Sequence, residues 1–170
     1  EYDFKNKIEL ESYKNIVSKI FGGKSLTYNI YTAKEELKMG FSAKDTAEIF
    51  SLEINKQHPI LFYGSQHFAR TTDIQIKSGG MSQDFLVKTE GSGILFLKVY
   101  GTLIEKLINS KKPIYVDEDA LIAFEEGIEY EWITGGVKKL ITSGEGGLFK
   151  LSGKGKIWIQ SKDKIEYKKD

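Results

Sequence analysis

The heptad Gly91-Ser92-Gly93-Ile94-Leu95-Phe96-Leu97 returns further along the chain as Gly153-Lys154-Gly155-Lys156-Ile157-Trp158-Ile159. Each copy follows a Gly-Gly pair, at Gly79-Gly80 and at Gly135-Gly136, with a short apolar strand in between. A chain that repeats a supersecondary unit takes its architecture from the way the copies stack. The repeat extends upstream, where Pro59-Ile60-Leu61-Phe62 corresponds to Pro113-Ile114-Tyr115-Val116 at an offset of 54 (113 − 59) and Ala69 to Ala123. The Gly-Gly pairs are offset by 56 and the Gly-x-Gly turns by 62, which predicts six extra residues of the later copy within 137–152. A third, partial copy is read at the start, where Ile16, Ile20, Gly23 and Ser25 match Val137, Ile141, Gly144 and Gly146. The expected organisation is a single β domain of pseudo-repeats: an incomplete unit over 1–45, a second over 46–100, a third over 101–161, and a polar tail at 162–170.

Composition narrows the class. The 170 residues are 40% hydrophobic and 29% charged, the balance of an ordinary water-soluble globular chain. With 25 basic and 24 acidic side chains the formal net charge is +1, so no global field recruits nucleic acid or anionic lipid. The absence of cysteine excludes disulfides, thiolate metal sites and thiol nucleophiles, and the cytoplasm is the expected location. No apolar run approaches the roughly 18 residues that span a bilayer. The N-terminus, EYDFKNK, is polar rather than signal-like, and because it opens on Glu the natural protein is expected to be longer.

Two prolines, 17 glycines and short Ile/Tyr/Phe/Thr-rich segments predict an all-β fold, a sandwich or double-stranded β-helix-like barrel with one or two short helices. Glu48, Phe50, Leu52 and Ile54 share one face of a strand, and Tyr130 and Trp132 share a face of another. Further strands are expected at 7–11, 27–31, 37–41, 60–63, 74–76, 85–88, 101–107, 114–116, 121–124, 148–151 and 164–167. Helices are expected only at 13–21 and 137–141, each before a glycine cluster able to end it. Ser42-Ala43-Lys44-Asp45 has the form of a capping box, but period-two alternation follows it and argues against a helix.

The stretch GGVKKLITSGEGGLFKLSGKGKIWIQS, residues 135–161, resembles the closing motif of the altered-inheritance-of-mitochondria (mitochondrial biogenesis) family. There a Gly-Gly pair, a Leu/Lys-rich turn, a Gly-Glu-Gly cluster, a Leu-Phe strand, a Gly-x-Gly turn and an aromatic strand follow in that order. The likeness continues upstream through 113–127, where Val116-Asp117 and Leu121-Ile122-Ala123-Phe124 look like the family's Val-Asp turn and apolar Ala-Phe strand, and more loosely through 25–80. The resemblance implies a β-sandwich of repeated units akin to the tryptophan RNA-binding attenuator superfamily, commonly a homotrimer. Bacterial and archaeal members of that family are cytoplasmic and without an assigned activity; fungal members are linked to mitochondrial inner-membrane organisation. It supplies no catalytic residue. Two departures stand out: the family's opening strands, expected before Lys7, are missing, and 81–90 is shorter than the family's glycine-rich turn.

Residue chemistry points away from catalysis. His58 and His67, the only imidazoles, are separated by Pro59 and Gly64, share no strand face and lack a third histidine, so no cupin-type metal site is expected. Asp117-Glu118-Asp119 reads as a solvated turn rather than a cation site. Neither Gly22-Gly23-Lys24-Ser25 nor Gly144-Glu145-Gly146-Gly147 has phosphate-loop spacing, and these glycines are read as turn and bulge residues. Gly64-Ser65-Gln66-His67 is not a nucleophile elbow. Lys162, Lys164, Tyr167, Lys168 and Lys169, with Lys138-Lys139, form only a weak basic-aromatic pattern for nucleic acid. Trp132 and Trp158 are expected in the core, at the repeat positions of Ile76 and Phe96. The sequence therefore predicts a non-enzymatic homo-oligomeric scaffold or interaction protein with no catalytic, cofactor or metal residues. The loops after Gly79 and Gly135 are its expected partner contacts, and 137–152 is where any activity unique to one copy would lie. RNA binding by fold analogy is the alternative, and a small-molecule or metal-dependent β-barrel enzyme a more distant one.

Overall fold

In the computed structural model the residues described are 8–14, 27–36, 38–43, 46–79, 86–133 and 147–162. Among these residues twelve strands run in chain order: β1 (Ile8–Lys14), β2 (Thr27–Ala33), β3 (Glu48–Ile54), β4 (Ile60–Tyr63), β5 (His67–Arg70), β6 (Gln75–Ser78), β7 (Leu86–Glu90), β8 (Gly93–Val99), β9 (Leu103–Asp117), β10 (Leu121–Glu125), β11 (Ile128–Ile133) and β12 (Leu148–Gln160). A 3-10 turn, Gly64–Gln66, joins β4 to β5. All pairing is antiparallel, and the fold is all-β as the sequence predicts.

Three sheets result. β1 and β2 form a hairpin, and β3-β8-β5 form a three-stranded sheet. The third runs β11-β12-β10-β4-β7-β6, with β9 along the other edge of β12. Alternation specifies which faces are buried. Leu95, Leu97 and Val99 of β8 point inward with Phe50, Leu52 and Ile54 of β3, and the residues between them face out.

β4 and β10 break that alternation because they lie between two cores. β4 gives Ile60 and Phe62 to one core and Leu61 to the other; β10 gives Ile122 and Ala123 to the first and Leu121 and Phe124 to the second. Ile60–Phe62 and Leu121–Phe124 are continuous apolar runs for this reason, buried on both faces. The first core also holds Ile74, Val87 and Trp158, and the second Ile108, Ile128, Phe149, Leu151 and Ile157.

The cross-strand registers repeat. Shifting β3–β6 by 54 residues and β7–β8 by 62 turns every one of their pairs except the terminal Glu48↔Val99 into a pair within β9–β12. Phe62↔Val87 becomes Val116↔Phe149, Ile76↔Thr89 becomes Tyr130↔Leu151, and Ile54↔Gly93 becomes Ile108↔Gly155. Even the bulge recurs, between His67 and Ala69 in β5 and between Leu121 and Ala123 in β10. β9 is thus β3 and β4 run together, and β12 is β7 and β8 run together. The β1–β2 hairpin has the register of β11–β12 at an offset of 120.

Several expectations are corrected by this register. The offsets differ by eight (62 − 54), so the later copy carries eight extra residues, and they lie between Ile133 and Leu148. The Gly79 amide bonds the Leu86 carbonyl, at the position that Ile133 holds opposite Leu148, so the two Gly-Gly pairs are not equivalents. Ile76 corresponds to Tyr130, and Ser78 to Trp132. The helix expected over 13–21 begins inside a strand, since Tyr13 and Lys14 belong to β1; its remainder is outside the described residues. Residues 38–41 are irregular rather than a strand. The elements expected at 137–141 and 164–167 lie outside the described residues.

Candidate functional site

The glycine corners come first, because the repeat singles them out. Gly91 and Gly153 have φ of 96° and 104°, a region L-residues with a Cβ rarely enter. Gly93 and Gly155 have no room for a side chain. A Cβ at Gly93 would overlap Thr71 Oγ1, and one at Gly155 would sit 2.9 Å from Glu125 Oε2. Those same oxygens accept the next amide, Thr71 Oγ1 from Ile94 N–H at 3.1 Å and Glu125 Oε2 from Lys156 N–H at 2.9 Å. Thr71 and Glu125 are register equivalents at the 54-residue offset. A hydroxyl and a carboxylate thus serve one backbone purpose, which makes these glycines structural. In β12 the second Gly-x-Gly is a bulge inside a continuous strand, where the sequence suggested a turn. The clusters at 22–25 and 144–146 fall outside the described residues.

The two imidazoles do different things. His58 is exposed and its amide bonds the Asn55 carbonyl at 2.9 Å across the β3–β4 corner. His67 opens β5 with its half-buried ring beside the first core, 6.5 Å from the Phe62 ring and 3.4 Å (Nε2) from Arg70 Nη1. Burial, reinforced by the positive charges of Arg70 and Lys98, pushes its pKa down to about 4. Its register equivalent is the buried Leu121, so a neutral ring stands where the other copy has a core leucine.

The acidic turn folds on itself. Asp117 Oδ1 accepts from Asp119 N–H at 2.9 Å, and the Asp117 carbonyl accepts from Ala120 N–H at 3.1 Å. Glu118 Oε2 accepts from Trp132 Nε1 at 3.0 Å, which holds the half-buried indole at the sheet end instead of deep in the core. Burial, with Glu118, Asp119 and Asp117 adding to it, raises the pKa of nearby Tyr63. Among the described residues no three His, Asp or Glu side chains converge on a point where an ion would sit.

Trp158 is buried, with its Nε1 donating to Glu105 Oε2 at 3.1 Å. Glu105 also pairs with Lys156 at 2.9 Å, a bond that draws its pKa down. Gln160, a buried polar residue, accepts from Tyr100 N–H at 2.9 Å and donates to the Asp119 carbonyl at 2.6 Å, fastening two loops to the end of β12. A hollow of about 480 Å³ beside Glu53, Asn55 and Ser92 is open to solvent, and Ser92 Oγ there accepts the Lys56 amide at 3.0 Å.

The surface feature that sequence reading missed is the edge of β9. This 15-residue strand bonds to β12 on one side, and among the described residues nothing bonds to its other side. Ile104, Leu107 and Tyr115 along it are 43%, 67% and 56% exposed. The signal available was the equivalence of 114–117 with β4, whose matching edge is covered by β10. The expected loops at 80–85 and 134–146, Lys138-Lys139, and Lys164, Tyr167, Lys168 and Lys169 lie outside the described residues; Lys162 is exposed. Among the described residues no helix is long and apolar enough to cross a membrane.

The crystal structure of protein SPYM3_0169 from Streptococcus pyogenes superposes on the chain with a TM-score of 0.57 at 22% sequence identity, a likeness of fold alone. The match takes in 68% of this chain and 55% of the streptococcal one, so the chain spans little more than half the length of that relative. No curated protein sequence matches it. The profile of one family, described as mitochondrial biogenesis AIM24, matches residues 2–162. The chain is a member of that mitochondrial biogenesis family.

Proposed function

We propose that this protein is a non-enzymatic, cytoplasmic homo-oligomer, a trimer by family resemblance, that acts through protein–protein contacts on a scaffold of repeated β-units. The observation that carries this reading is the long, partly apolar edge of β9, on a body whose conspicuous polar groups are engaged in holding the fold. Edge strands of this length are ordinarily covered, because their unpaired amides and carbonyls template further pairing. Closed homo-oligomers cover such edges with copies of the same chain. The hydrogen bonds of Glu118, Glu125, Thr71 and Gln160 to backbone or indole groups support a structural rather than a chemical role for them. The mass of the purified protein in solution, measured over a range of concentrations, tests the reading. A trimer mass is expected; a monomer at every concentration would overturn it. RNA binding predicts retention on a generic RNA that weakens steeply with salt, and absence of retention at low salt counts against that rival.

A further inference from the structure

We infer that residues 67–74 form an acid-released latch: neutral His67 holds the Arg70 guanidinium, Arg70 holds the Ile74 carbonyl, and a proton on His67 opens the corner between β5 and β6. The geometry fixes the direction of the first bond. Arg70 Nη1 lies 3.4 Å from His67 Nε2, and a guanidinium carries donors only, so Nε2 accepts and the ring proton sits on Nδ1. Arg70 Nε, the other arm of the group, donates to the Ile74 carbonyl at 2.9 Å. Ile74 itself is buried in the first core. Two bonds tie the corner to the start of β8, Thr71 N–H to the Ile94 carbonyl at 3.0 Å and Ile94 N–H to Thr71 Oγ1 at 3.1 Å. Within the corner, Ile74 N–H donates to the Thr71 carbonyl at 3.2 Å.

A proton on Nε2 ends this arrangement. The protonated ring has a donor on both nitrogens, so Nε2 then faces a guanidinium donor and the bond from Arg70 is lost. The charges that bear on the ring are Arg70 of its own strand and Lys98 of β8, both positive. β4 presents the uncharged Phe62 ring, and the Gly64–Gln66 turn carries no charged residue. Burial first, then these two cations, set the closed corner against the protonated ring. Opening carries ring and guanidinium apart and into water, so acid favours the open form. The second copy has the same backbone corner without the latch. Leu121 stands there for His67, Phe124 for Arg70 and Ile128 for Ile74, and all three are buried. One corner is thus closed by apolar packing and the other by a proton-sensitive chain of bonds, which confines the response to the first copy.

Hydrogen exchange of the full chain, followed by NMR at pH 6.5, 5.5 and 4.5, tests the latch. Protection of the Thr71, Ile74 and Ile94 amides is read against that of the Gln160 amide, which bonds the Ala120 carbonyl at 2.8 Å in the second copy and reports global opening. In the wild type the ratio is expected to fall about tenfold per pH unit, because the open corner takes up a proton that the closed one refuses. His67→Leu, which installs the residue of the other copy, is expected to keep the ratio level. A level ratio in the wild type, or an equal fall in both proteins, overturns the latch. A second readout needs no variant: nitrogen NMR shifts of the neutral ring are expected to place its proton on Nδ1. A proton on Nε2 overturns the bond on which the latch depends. The oligomeric reading stands or falls separately, on the mass in solution.

Discussion

Replacing His67 by leucine, the residue its repeat equivalent Leu121 already is, removes an acid-sensitive component of stability. The folded-state pKa of His67 is about 4, lowered by burial and by Arg70 and Lys98, against about 6.5 for an imidazole in water. Above pH 6.5 the ring is neutral in both states and contributes no pH dependence. Between pH 6.5 and pH 4 the unfolded chain takes up a proton that the folded chain refuses, so stability falls with falling pH by about 1.4 kcal/mol per unit. Below pH 4 both states are protonated and the loss is complete, at about 3 kcal/mol at most. The assay is urea unfolding of wild type and His67→Leu at intervals from pH 7.5 to pH 4. Carboxylates such as Glu105, whose pKa is lowered by its bond from Lys156, destabilise both proteins in acid and cancel in the difference. The wild type is expected to lose stability relative to the variant progressively below pH 6.5. Parallel curves for the two proteins across that window would refute the assignment of a buried neutral ring.

The glycine corner is expected to be intolerant: Gly91→Ala puts a Cβ against the Asp73 carbonyl at a φ of 96°, costing roughly 2–4 kcal/mol. Thermal unfolding should show a fall in Tm of roughly 5–12 °C, while Gly40→Ala, with nothing within 4 Å, serves as the silent control; equal effects would contradict the argument. Gln160→Leu removes the side-chain oxygen that accepts from the Tyr100 amide, and a loss of about 1–3 kcal/mol is expected. Hydrogen exchange at Tyr100 checks it, since unchanged protection there would mean the glutamine is dispensable. Trp158→Phe, which installs the residue found at the equivalent Phe96, should cost about 1 kcal/mol for the lost bond to Glu105, whereas Trp158→Ala should cost about 3–5 kcal/mol. Equal losses in denaturant titrations of the two variants would place the indole outside the core.

The β content, the family and the 54-residue offset were legible because each rests on a local signal: alternation, glycine spacing, a proline before an apolar run. The error at Gly79 and Gly135 shows where such signals stop. A Gly-Gly pair is a composition match, and only the ladder reveals that Gly79 occupies the place of Ile133. β5 escaped notice because His67 and Arg70 replace the apolar residues of its equivalent, Leu121 and Phe124, and four such residues carry no period. The fusion of two segments into β9 was hidden by Pro113, which reads as a strand breaker. It is tolerated because it lies on an edge strand, beside the irregularity between Leu151 and Gly153 in the partner. The contacts of the acidic turn were not legible, since whether Glu118 meets an ion or Trp132 depends on a contact across 14 residues that no spacing rule encodes.

What the two copies share and where they part separates backbone specification from surface chemistry. Lys77 stands opposite Lys88 in one copy, and Glu131 opposite Lys150 at 2.9 Å in the other. The like-charged pair persists because each lysine has its own carboxylate, Lys77 with Glu90 and Lys88 with Glu126. Exposed pairs of this kind contribute little to stability, so their identities drift as long as charge is locally balanced. The positions along the β4–β10 pairing follow another rule. Phe124, Leu61 and Tyr63 are apolar or aromatic where the chain itself covers both strands, and Arg70, Tyr115 and Asp117 take their places at the ends of the stack. Drift under solvent exposure alone would favour any polar residue at these ends. Two of the three instead answer to their own chain, Arg70 through its Nε, which donates to the Ile74 carbonyl at 2.9 Å, and Asp117 through its carboxylate, which accepts from Asp119 N–H at 2.9 Å.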